Sequence, residues 1–417
     1  MTTVSGMEQT DGAAARPLTP VDLSQDALYV DDCWREPFAR LRQTAPLSWR
    51  ADSPFGPYWS AVTHDLIQRI ELDVAVWSSA STAGGITIAD RPIGEEFPSF
   101  ISQDPPIHTA QRKVIAPAFS PSQMLKLDAA VTARTRTLLD SLPVGQTFDW
   151  VERVSIPQTL GMLCILFDMP FEEWPDLKRW SDWASGVSAD NLNADYRAQF
   201  HLQMGEMLNR FDRELADRRA RPPSDDLLSR MVHSEALGHL ETMERIANIG
   251  LLLVGGNDTT RNSLSALVEV LARYPAELDR LHAQPALISN AAQEVIRWQS
   301  PVTHMRRTAL TDTVLAGQAI RKGEKVVLWY ISANRDEAVF ADAERFDVGR
   351  DNARRHLSFG HGIHRCVGAR LAESQITSLI AELVRRNIRI VPQGAPSRLA
   401  SPFLHGFTAM PVKIMPR

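Results

Sequence analysis

Apolar residues recur at helical spacing through the middle of the chain. The segment His108–Arg273 is nearly all helical by this pattern, and His239–Ala272 is its longest stretch. The apolar positions of that stretch include Ile246, Ile249, Leu253, Leu264, Leu267 and Leu271. Gly250, Gly255 and Gly256 interrupt it. Each glycine costs about 0.5–1 kcal/mol in a helix interior, so we expect these three to have a specific role.

Strands are predicted on both sides of the helical segment. Short strand-like runs occur at Leu47–Trp49 and Tyr58–Val62. Residues 302–328 form a longer group of strands, with a hairpin signal at Lys322–Gly323. Further helices are predicted over residues 275–298.

Two long segments have no regular pattern. Residues 78–103 are rich in Gly, Pro, Ser and Thr, and residues 332–362 are also irregular. A loop of this length inside a compact domain is usually functional or disordered. A last helix is predicted over residues 366–387. Residues 1–17 are predicted to be a disordered tail, followed by one domain over residues 18–417.

The composition excludes several classes of protein. Of the 417 residues, 44% are hydrophobic and 23% are charged, and the net charge of −5 argues against nucleic-acid binding. The polar N-terminus lacks the apolar core of a signal peptide, and the longest apolar stretch, near Ile249–Val254, is too short for a membrane anchor. Cys33, Cys164 and Cys366 include no CxxC pair, which argues against a disulfide framework and predicts a cytoplasmic location.

Cys366 lies in a segment with distinctive chemistry. It ends the run 359–366, Phe-Gly-His-Gly-Ile-His-Arg-Cys. Gly360 and Gly362 allow the backbone to approach a flat group closely. Cys366 is predicted at the start of the helix 366–387, where the helix dipole favours a thiolate. A thiolate that donates electron density to haem iron favours cleavage of the O–O bond.

Two other interpretations of Cys366 must be weighed. A lone cysteine is more often a small buried hydrophobic residue than a ligand. His361, His364 and Cys366 could instead hold zinc, but no fourth ligand is evident at a suitable spacing.

The order of residues 359–368 resembles the haem-binding loop of the cytochrome P-450 superfamily of haem-thiolate monooxygenases, FGxGxHxCxG. The resemblance implies that Cys366 is the iron ligand and that His364 binds a haem propionate. It also implies that Phe359 packs near the thiolate and that Gly368 contacts the haem.

Polar residues follow the glycines of the longest predicted helix. Asp258 and Thr259 interrupt an apolar segment, and polar groups in such a place cost free energy unless they have partners or a function. The order Gly255–Thr259 is similar to the family's oxygen-activation motif, (A/G)GxDT. The resemblance implies that the glycines open the helix for O2, that Thr259 hydrogen-bonds to the bound oxygen, and that Asp258 relays protons.

A third motif has the spacing ExxR, which is common in helices and means little by itself. Glu294 and Arg297 have ExxR spacing, which places them on one helix face. Between the oxygen motif and the cysteine loop, this spacing matches the structural ExxR of the family. The resemblance implies that Arg345, in Glu344-Arg345-Phe346, is the third partner, and that all three act in folding and haem retention.

Further basic residues match haem-propionate ligands of the family. His108 and Arg112 are four residues apart and therefore share a helix face. The resemblance makes both of them propionate partners, together with Arg307. The adjacent Arg306 leaves open which of these two arginines is the ligand.

The resemblance covers roughly residues 20–417. It implies a mainly α fold with a minor β region: a single cytochrome P-450 domain whose triangular helical body surrounds a buried haem b. Such an enzyme combines O2, two electrons and a substrate. The chain has no Gly-rich dinucleotide fingerprint, so the electrons must come from separate proteins. The resemblance implies a ferredoxin and a ferredoxin reductase, and we expect a monomer.

Basic residues in segments expected on the thiolate side of the haem would attract an acidic ferredoxin. They are Arg112, Lys113, Arg354, Arg355, Arg365 and Arg370.

The predicted substrate pocket is mainly apolar, which predicts an apolar substrate. Its expected residues are Ile86, Leu251, Val254, Val302, Met305, Phe403 and Leu404. Three stretches, residues 255–263, 297–309 and 356–373, resemble the bacterial alkane and fatty-acid terminal hydroxylases of the superfamily. The resemblance implies attack at the terminal carbon of medium-chain alkanes, alcohols or fatty acids. The alternatives are a steroid or terpenoid side-chain hydroxylase, a peroxygenase driven by H2O2, and a non-catalytic haem sensor.

Overall fold

The computed structural model describes residues 16–90, 98–185 and 194–417. In chain order, its α-helices are α1 (Asp26–Val30), α2 (Arg35–Thr44), α3 (His64–Leu72), α4 (Ile107–Ile115), α5 (Pro121–Asp140), α6 (Ile156–Phe167), α7 (Trp174–Ser185), α8 (Ala194–Arg219), α9 (Leu227–Val232), α10 (Thr242–Arg273), α11 (Pro275–Ala283), α12 (Ile288–Gln299), α13 (Tyr330–Ala333) and α14 (Ala369–Arg386). The strands are β1 (Leu47–Arg50), β2 (Tyr58–Ala61), β3 (Trp77–Ser78), β4 (Thr147–Asp149), β5 (Met305–Ala309), β6 (Thr313–Leu315), β7 (Gln318–Ile320), β8 (Lys325–Leu328), β9 (Ile388–Pro392), β10 (Ser397–Arg398), β11 (Phe407–Ala409) and β12 (Pro411–Pro416).

Helix α10 is the central element of the helical part. Its first turn is closed by a capping box, in which Glu241 and Glu244 each accept from the other's backbone N–H. The helix ends at Arg273, two residues before Pro275. It packs against α6, α7, α12 and α14, and most of its residues after Leu252 are buried. The predicted helix His239–Ala272 is therefore confirmed, with small shifts at both ends.

The strands form one larger sheet and several small ones. The five-stranded sheet has the order β1-β2-β8-β5-β3, with β2 and β8 parallel and the other neighbours antiparallel. A second sheet has the order β4-β12-β9, and β6–β7 and β10–β11 are two-stranded. The five-stranded sheet packs on α3 and α13.

Two predictions about local structure were wrong. The hairpin joins β6 to β7 through Ala316 and Gly317, which both have positive φ. Lys322–Gly323 is instead the turn that leads into β8, which pairs with β2 and β5. Cys366 does not begin a helix, because α14 starts at Ala369.

Other predictions on loops and strands were correct. The predicted strands Leu47–Trp49 and Tyr58–Val62 correspond to β1 and β2. Apart from Ser78, the last residue of β3, the described parts of the segment 78–103 contain as regular structure only the short 3-10 helices Ser81–Ala83 and Phe100–Ser102.

The predicted disordered tail cannot be compared over most of its length, because residues 1–15 lie outside the described residues. Arg16 and Pro17, its last two residues, both contact β1. The Arg16 guanidinium stacks over the Trp49 ring, and the Pro17 carbonyl accepts from the Trp49 N–H.

Candidate functional site

A cavity between α10, β5 and the loop that precedes α14 contains most of the predicted site residues. Thr259 and Cys366 both line it. All seven predicted substrate-pocket residues line it as well: Ile86, Leu251, Val254, Val302, Met305, Phe403 and Leu404. Gly255, Arg112, Arg307, Phe359, His364 and Gly368 complete the predicted set that lines this cavity. Residues from distant parts of the chain therefore meet around one mainly apolar space.

Cys366 is held by a tight loop before α14. Its backbone N–H donates to the Phe359 carbonyl at 2.8 Å. Gly360 and Gly362 both have positive φ, and a Cβ at Gly362 would lie 2.5 Å from the backbone oxygen of Glu71. Only glycine therefore allows this loop to pack directly on α3. The thiol is accessible from the cavity although it lies deep within the protein.

The charge state of Cys366 depends on opposing effects. Burial raises the pKa of its thiol, whereas the backbone N–H of Gly368 and the guanidinium groups of Arg365 and Arg112 lower it. The expected helix N-terminus is replaced by this single peptide N–H, which lies just before α14. Within the described residues, no cluster of His, Cys, Asp and Glu side chains has the geometry of a metal site that would support the zinc alternative.

Basic and imidazole side chains gather on one side of the cavity. Arg307 and Arg112 line it, and Arg112 also donates to the Arg365 carbonyl. The rings of His108 and His364 are in contact, with centroids 4.2 Å apart and planes tilted by 49°, and His108 lies behind His364. Neither ring nitrogen of His108 has a hydrogen-bond partner among the described residues. Burial lowers the pKa of His108 to about 4 and that of His364 to about 2.

The pairing of β5 decides which of the two arginines, Arg306 or Arg307, faces the cavity. Alternate residues of a strand point to opposite faces of the sheet. Arg307 faces the cavity, whereas Arg306 faces away and pairs with Asp90. A Cβ at Gly84 would clash with the Arg306 guanidinium, so Gly84 makes room for that side chain. Arg307 is therefore the residue that lies with Arg112 and His364, as the resemblance implied.

The glycines of α10 mark the point where the helix borders the cavity. The helix runs through this segment without a break. A Cβ at Gly256 would lie 2.5 Å from Leu163 of α6, so glycine is required for the close packing of the two helices. A Cβ at Gly255 would meet no protein atom within 4 Å and would project into open space. Thr259 donates to the Gly255 carbonyl at 2.9 Å.

Asp258 lies behind this wall of the cavity and is completely buried. Its Oδ1 accepts from Asn257 at 2.8 Å, and Asn257 in turn accepts from Thr159 at 2.7 Å. Burial raises the pKa of Asp258, and Arg261 lowers it. A buried carboxyl whose pKa is shifted by its surroundings is a group that can hold a proton, and Asp258 lies on the same helix turn as the cavity-lining Thr259.

Comparison with known proteins decides the family. The cytochrome P450 family model matches residues 122–414. Linalool 8-monooxygenase of Pseudomonas putida is 36% identical over 95% of this chain and 99% of its own length. The chain belongs to the cytochrome P450 family.

A second relative and a solved structure extend the comparison. The methyl-branched lipid omega-hydroxylase of Mycobacterium tuberculosis is 34% identical over 95% of both chains. The structure of cytochrome P450-153 from Novosphingobium aromaticivorans superposes with a TM-score of 0.90 at 45% identity, covering 94% of this chain and 99% of that one. The protein is thus a P450 monooxygenase with a single P450 fold, and its cofactor is haem b.

The residues around the cavity fit a haem b group. Cys366 offers a sulfur to an iron, and Gly360 and Gly368 line the cavity beside it without side chains. Arg112, Arg307 and His364 line the cavity, and the Nδ1 of His364 has no hydrogen-bond partner among the described residues, so these three side chains form a set of donors suited to the two propionates. The rest of the lining is largely apolar, as a porphyrin ring requires.

The P450 ExxR pair lies outside the cavity in a completely buried network. Arg297 binds Glu294 through two hydrogen bonds of 2.7 and 2.8 Å. Arg345 was predicted as the third partner, and this prediction was wrong. Its side chain is exposed, and only its backbone carbonyl accepts from Arg297. The third charged partner is Arg350, whose Nε lies 3.1 Å from Glu294.

Sequence reasoning missed several residues of this P450 site. Glu71 and Tyr330 line the cavity beside Arg307. Arg261 pairs with Asp258 three residues away on the same helix, a spacing that could have identified it. Glu71 offered no such signal, because its partners are far away in the sequence. Further apolar lining comes from Phe100, Phe119, Met162, Leu163, Leu166 and Leu371.

Proposed function

We propose that this P450 hydroxylates the terminal (omega) carbon of an apolar chain, such as a medium-chain alkane or fatty acid. The supporting observation is the lining of the cavity next to Thr259 and Cys366. Leu251, Val254 and Phe403 there offer contact without hydrogen-bonding groups. Such a wall binds methyl and methylene groups through the hydrophobic effect, so the end of a chain is the part that reaches the reaction centre.

The relatives support the same assignment. One is a methyl-branched lipid omega-hydroxylase, and omega denotes the terminal carbon. A second candidate function is terpenoid hydroxylation, which is favoured by the 36% identity to linalool 8-monooxygenase. Both candidates share an apolar substrate, and they differ in how branched and compact that substrate is.

A second cavity offers space for the rest of a chain substrate. It shares Ile86, Leu251, Val254 and Phe403 with the first cavity and extends toward α7 and α8. Hydroxyl side chains line part of its wall: Ser81, Thr82, Thr87, Ser99, Ser102 and Ser185. A chain would therefore lie with its apolar end beside Thr259 and its other end near these hydroxyl groups.

The side chains of the site have distinct tasks in this reaction. Haem b, when bound, supplies the iron centre at which O2 and two electrons are used to oxygenate the substrate. Cys366 is the proposed thiolate ligand to that iron, and Arg112 and Arg307 hold the propionates. Thr259 presents a hydroxyl to the cavity, and Asp258 supplies protons to it from behind.

We also propose a ferredoxin as the electron donor. Lys113, Arg354, Arg355, Arg365 and Arg370 have exposed side chains, and Arg112 reaches the Arg365 carbonyl. An acidic ferredoxin would be attracted to these charges at low ionic strength. The cytoplasmic location and the monomeric state stay predictions. Among the described residues, no helix has the length and apolar character needed to cross a membrane.

Optical titration tests the substrate class. Dodecane, lauric acid, linalool and cholesterol are each added to the haem-loaded protein, and the haem absorption is followed as a substrate enters the cavity. We expect saturable shifts at the lowest concentrations for dodecane and lauric acid. Tighter binding of linalool would favour the terpenoid function, and a response to cholesterol alone would contradict both.

A further inference from the structure

Glu71 is a buried carboxyl group at the edge of the haem cavity. It lies on the last turn of α3, and only 1% of its side chain is exposed. Its Oε1 accepts from Tyr330 at 2.6 Å and from Arg307 at 3.1 Å. Its Oε2 is buried and has no hydrogen-bond partner among the described residues. A buried ionised carboxylate with one unsatisfied oxygen is costly, so the protonation state of Glu71 needs an explanation.

The groups around Glu71 come from every element packed on it. Strand β5 contributes the Arg307 guanidinium, and α13 contributes the Tyr330 hydroxyl. The cysteine loop contributes the backbone N–H of His361. Burial raises the pKa of Glu71, and these three groups lower it by less, so the net change is upward.

The loaded cavity contains one carboxyl group more than its cations can balance. Apart from Cys366, the guanidinium and carboxyl side chains of its described lining are those of Arg112, Arg307 and Glu71. Haem b brings two propionates, which the two guanidinium groups balance. Glu71 is then a third carboxyl, which must share the Arg307 guanidinium with a propionate.

We propose that Glu71 is a proton-binding site coupled to the haem, which takes up a proton when the haem is reduced. Reduction adds one electron to the iron, and one proton from solvent then binds at Oε2 of Glu71. The added negative charge favours the protonated carboxyl, as any nearby negative charge does. Tyr330 and Arg307 hold the carboxyl in place through Oε1, which leaves Oε2 for the proton.

The proposal predicts the sign of a pH effect on the reduction potential. In the pH range in which Glu71 takes up a proton on reduction, the reduction potential falls as the pH rises, because protons become scarcer. For a one-electron couple, a tenfold change in proton concentration shifts the potential by up to about 59 mV. At low pH Glu71 is protonated in both redox states, and the potential becomes independent of pH.

Spectroelectrochemical titration of the haem-loaded protein between pH 5 and 9 tests the proposal. The wild type should show a falling potential over part of this range. Glu71→Gln should show a nearly constant potential close to the low-pH value of the wild type, because Gln resembles a protonated Glu. Glu337→Gln, which changes a more exposed carboxyl paired with Arg42, is the control and should follow the wild type.

Two outcomes would overturn the proposal: a wild-type potential that is flat across the range, or a Glu71→Gln curve parallel to the wild type. If Glu71→Gln does not retain haem, Tyr330→Phe replaces it. Loss of the Tyr330 hydroxyl removes a donor that stabilises the carboxylate, so the falling part of the curve should move to higher pH. Tyr58→Phe, which removes a hydroxyl bonded to Asp22, is the control and should leave the falling part of the curve in place. A Tyr330→Phe curve that coincides with that of the wild type would also contradict the proposal.

Discussion

Asp258 forms an ion pair of 3.0 Å with Arg261, one turn further along α10. Arg261 also pairs with Asp182 of α7 at 3.2 Å. The side chain of Asp258 is completely buried, that of Arg261 is 9% exposed and that of Asp182 is 38% exposed. The three charged groups thus connect the back of the cavity to the protein surface. Because a guanidinium keeps its proton, Arg261 holds the buried carboxyl close to a carboxyl at the surface and does not itself relay protons.

Asp258→Asn should slow substrate turnover by about 10²-fold, because the amide cannot relay protons at the same rate. The haem content should stay unchanged, since Asn has nearly the same volume. The measurement is steady-state turnover in H2O and D2O, and the solvent isotope effect should increase in the variant. Asp182→Asn should have a smaller effect, because its site is open to water. Unchanged turnover in Asp258→Asn would rule out the relay.

Thr259→Ala should separate O2 consumption from product formation. The hydroxyl that now donates to the Gly255 carbonyl lines the cavity, and its loss removes a group that would pass a proton to the reaction centre. Oxygen uptake should continue while H2O2 replaces most of the product, as measured with an oxygen electrode and a peroxide assay. Thr260→Ala alters the adjacent threonine, and in this variant most of the consumed O2 should still appear as product. Full coupling in Thr259→Ala would contradict this role of the hydroxyl.

Removal of the Glu294 carboxylate should be strongly destabilising. Glu294→Ala leaves the buried guanidinium of Arg297 without its partner, which typically costs about 3–5 kcal/mol. Arg350→Ala should cost less, and Arg345→Ala should have almost no effect because its side chain is exposed. Urea unfolding of the three variants gives the free energies. A larger loss for Arg345→Ala than for Arg350→Ala would restore the original assignment.

Buried histidines should make the protein less stable as the pH falls. Burial lowers the pKa of His356 to about 3, whereas an unfolded histidine titrates near 6.5. The unfolded state therefore binds more protons between these values, and stability is full above about pH 6.5 and declines below it. His356→Gln should reduce this slope by up to about 1.4 kcal/mol per pH unit in urea unfolding at pH 5–7. His239→Gln, at an exposed position, should leave the slope unchanged.

The parts of the site that the sequence predicted correctly are those with fixed local spacing. Cys366 and His364 lie in one short loop, and Asp258 and Thr259 lie on one helix turn, so spacing alone placed them together. The choice between Arg306 and Arg307 stayed open in the sequence, because only the pairing of β5 shows which of the two side chains faces the cavity.

The missed features depend on contacts between distant segments or on details of a turn. Glu71 lies about 240 residues from Arg307, and only the packing of α3 on the cysteine loop brings it to the cavity. Arg350 and Arg345 are both arginines in an irregular segment, and the turn between them decides which side chain points inward. Gly317 and Gly323 both have positive φ, so composition could not indicate which turn closes the hairpin.

The site of hydroxylation on a linear alkane tests the central claim most directly. The haem-loaded protein is supplied with O2, NADH, a ferredoxin and its reductase, and dodecane. The products are separated by gas chromatography with mass detection. The account predicts 1-dodecanol as the main product, because the apolar wall near Thr259 admits the end of the chain. A main product hydroxylated at inner carbons would contradict it.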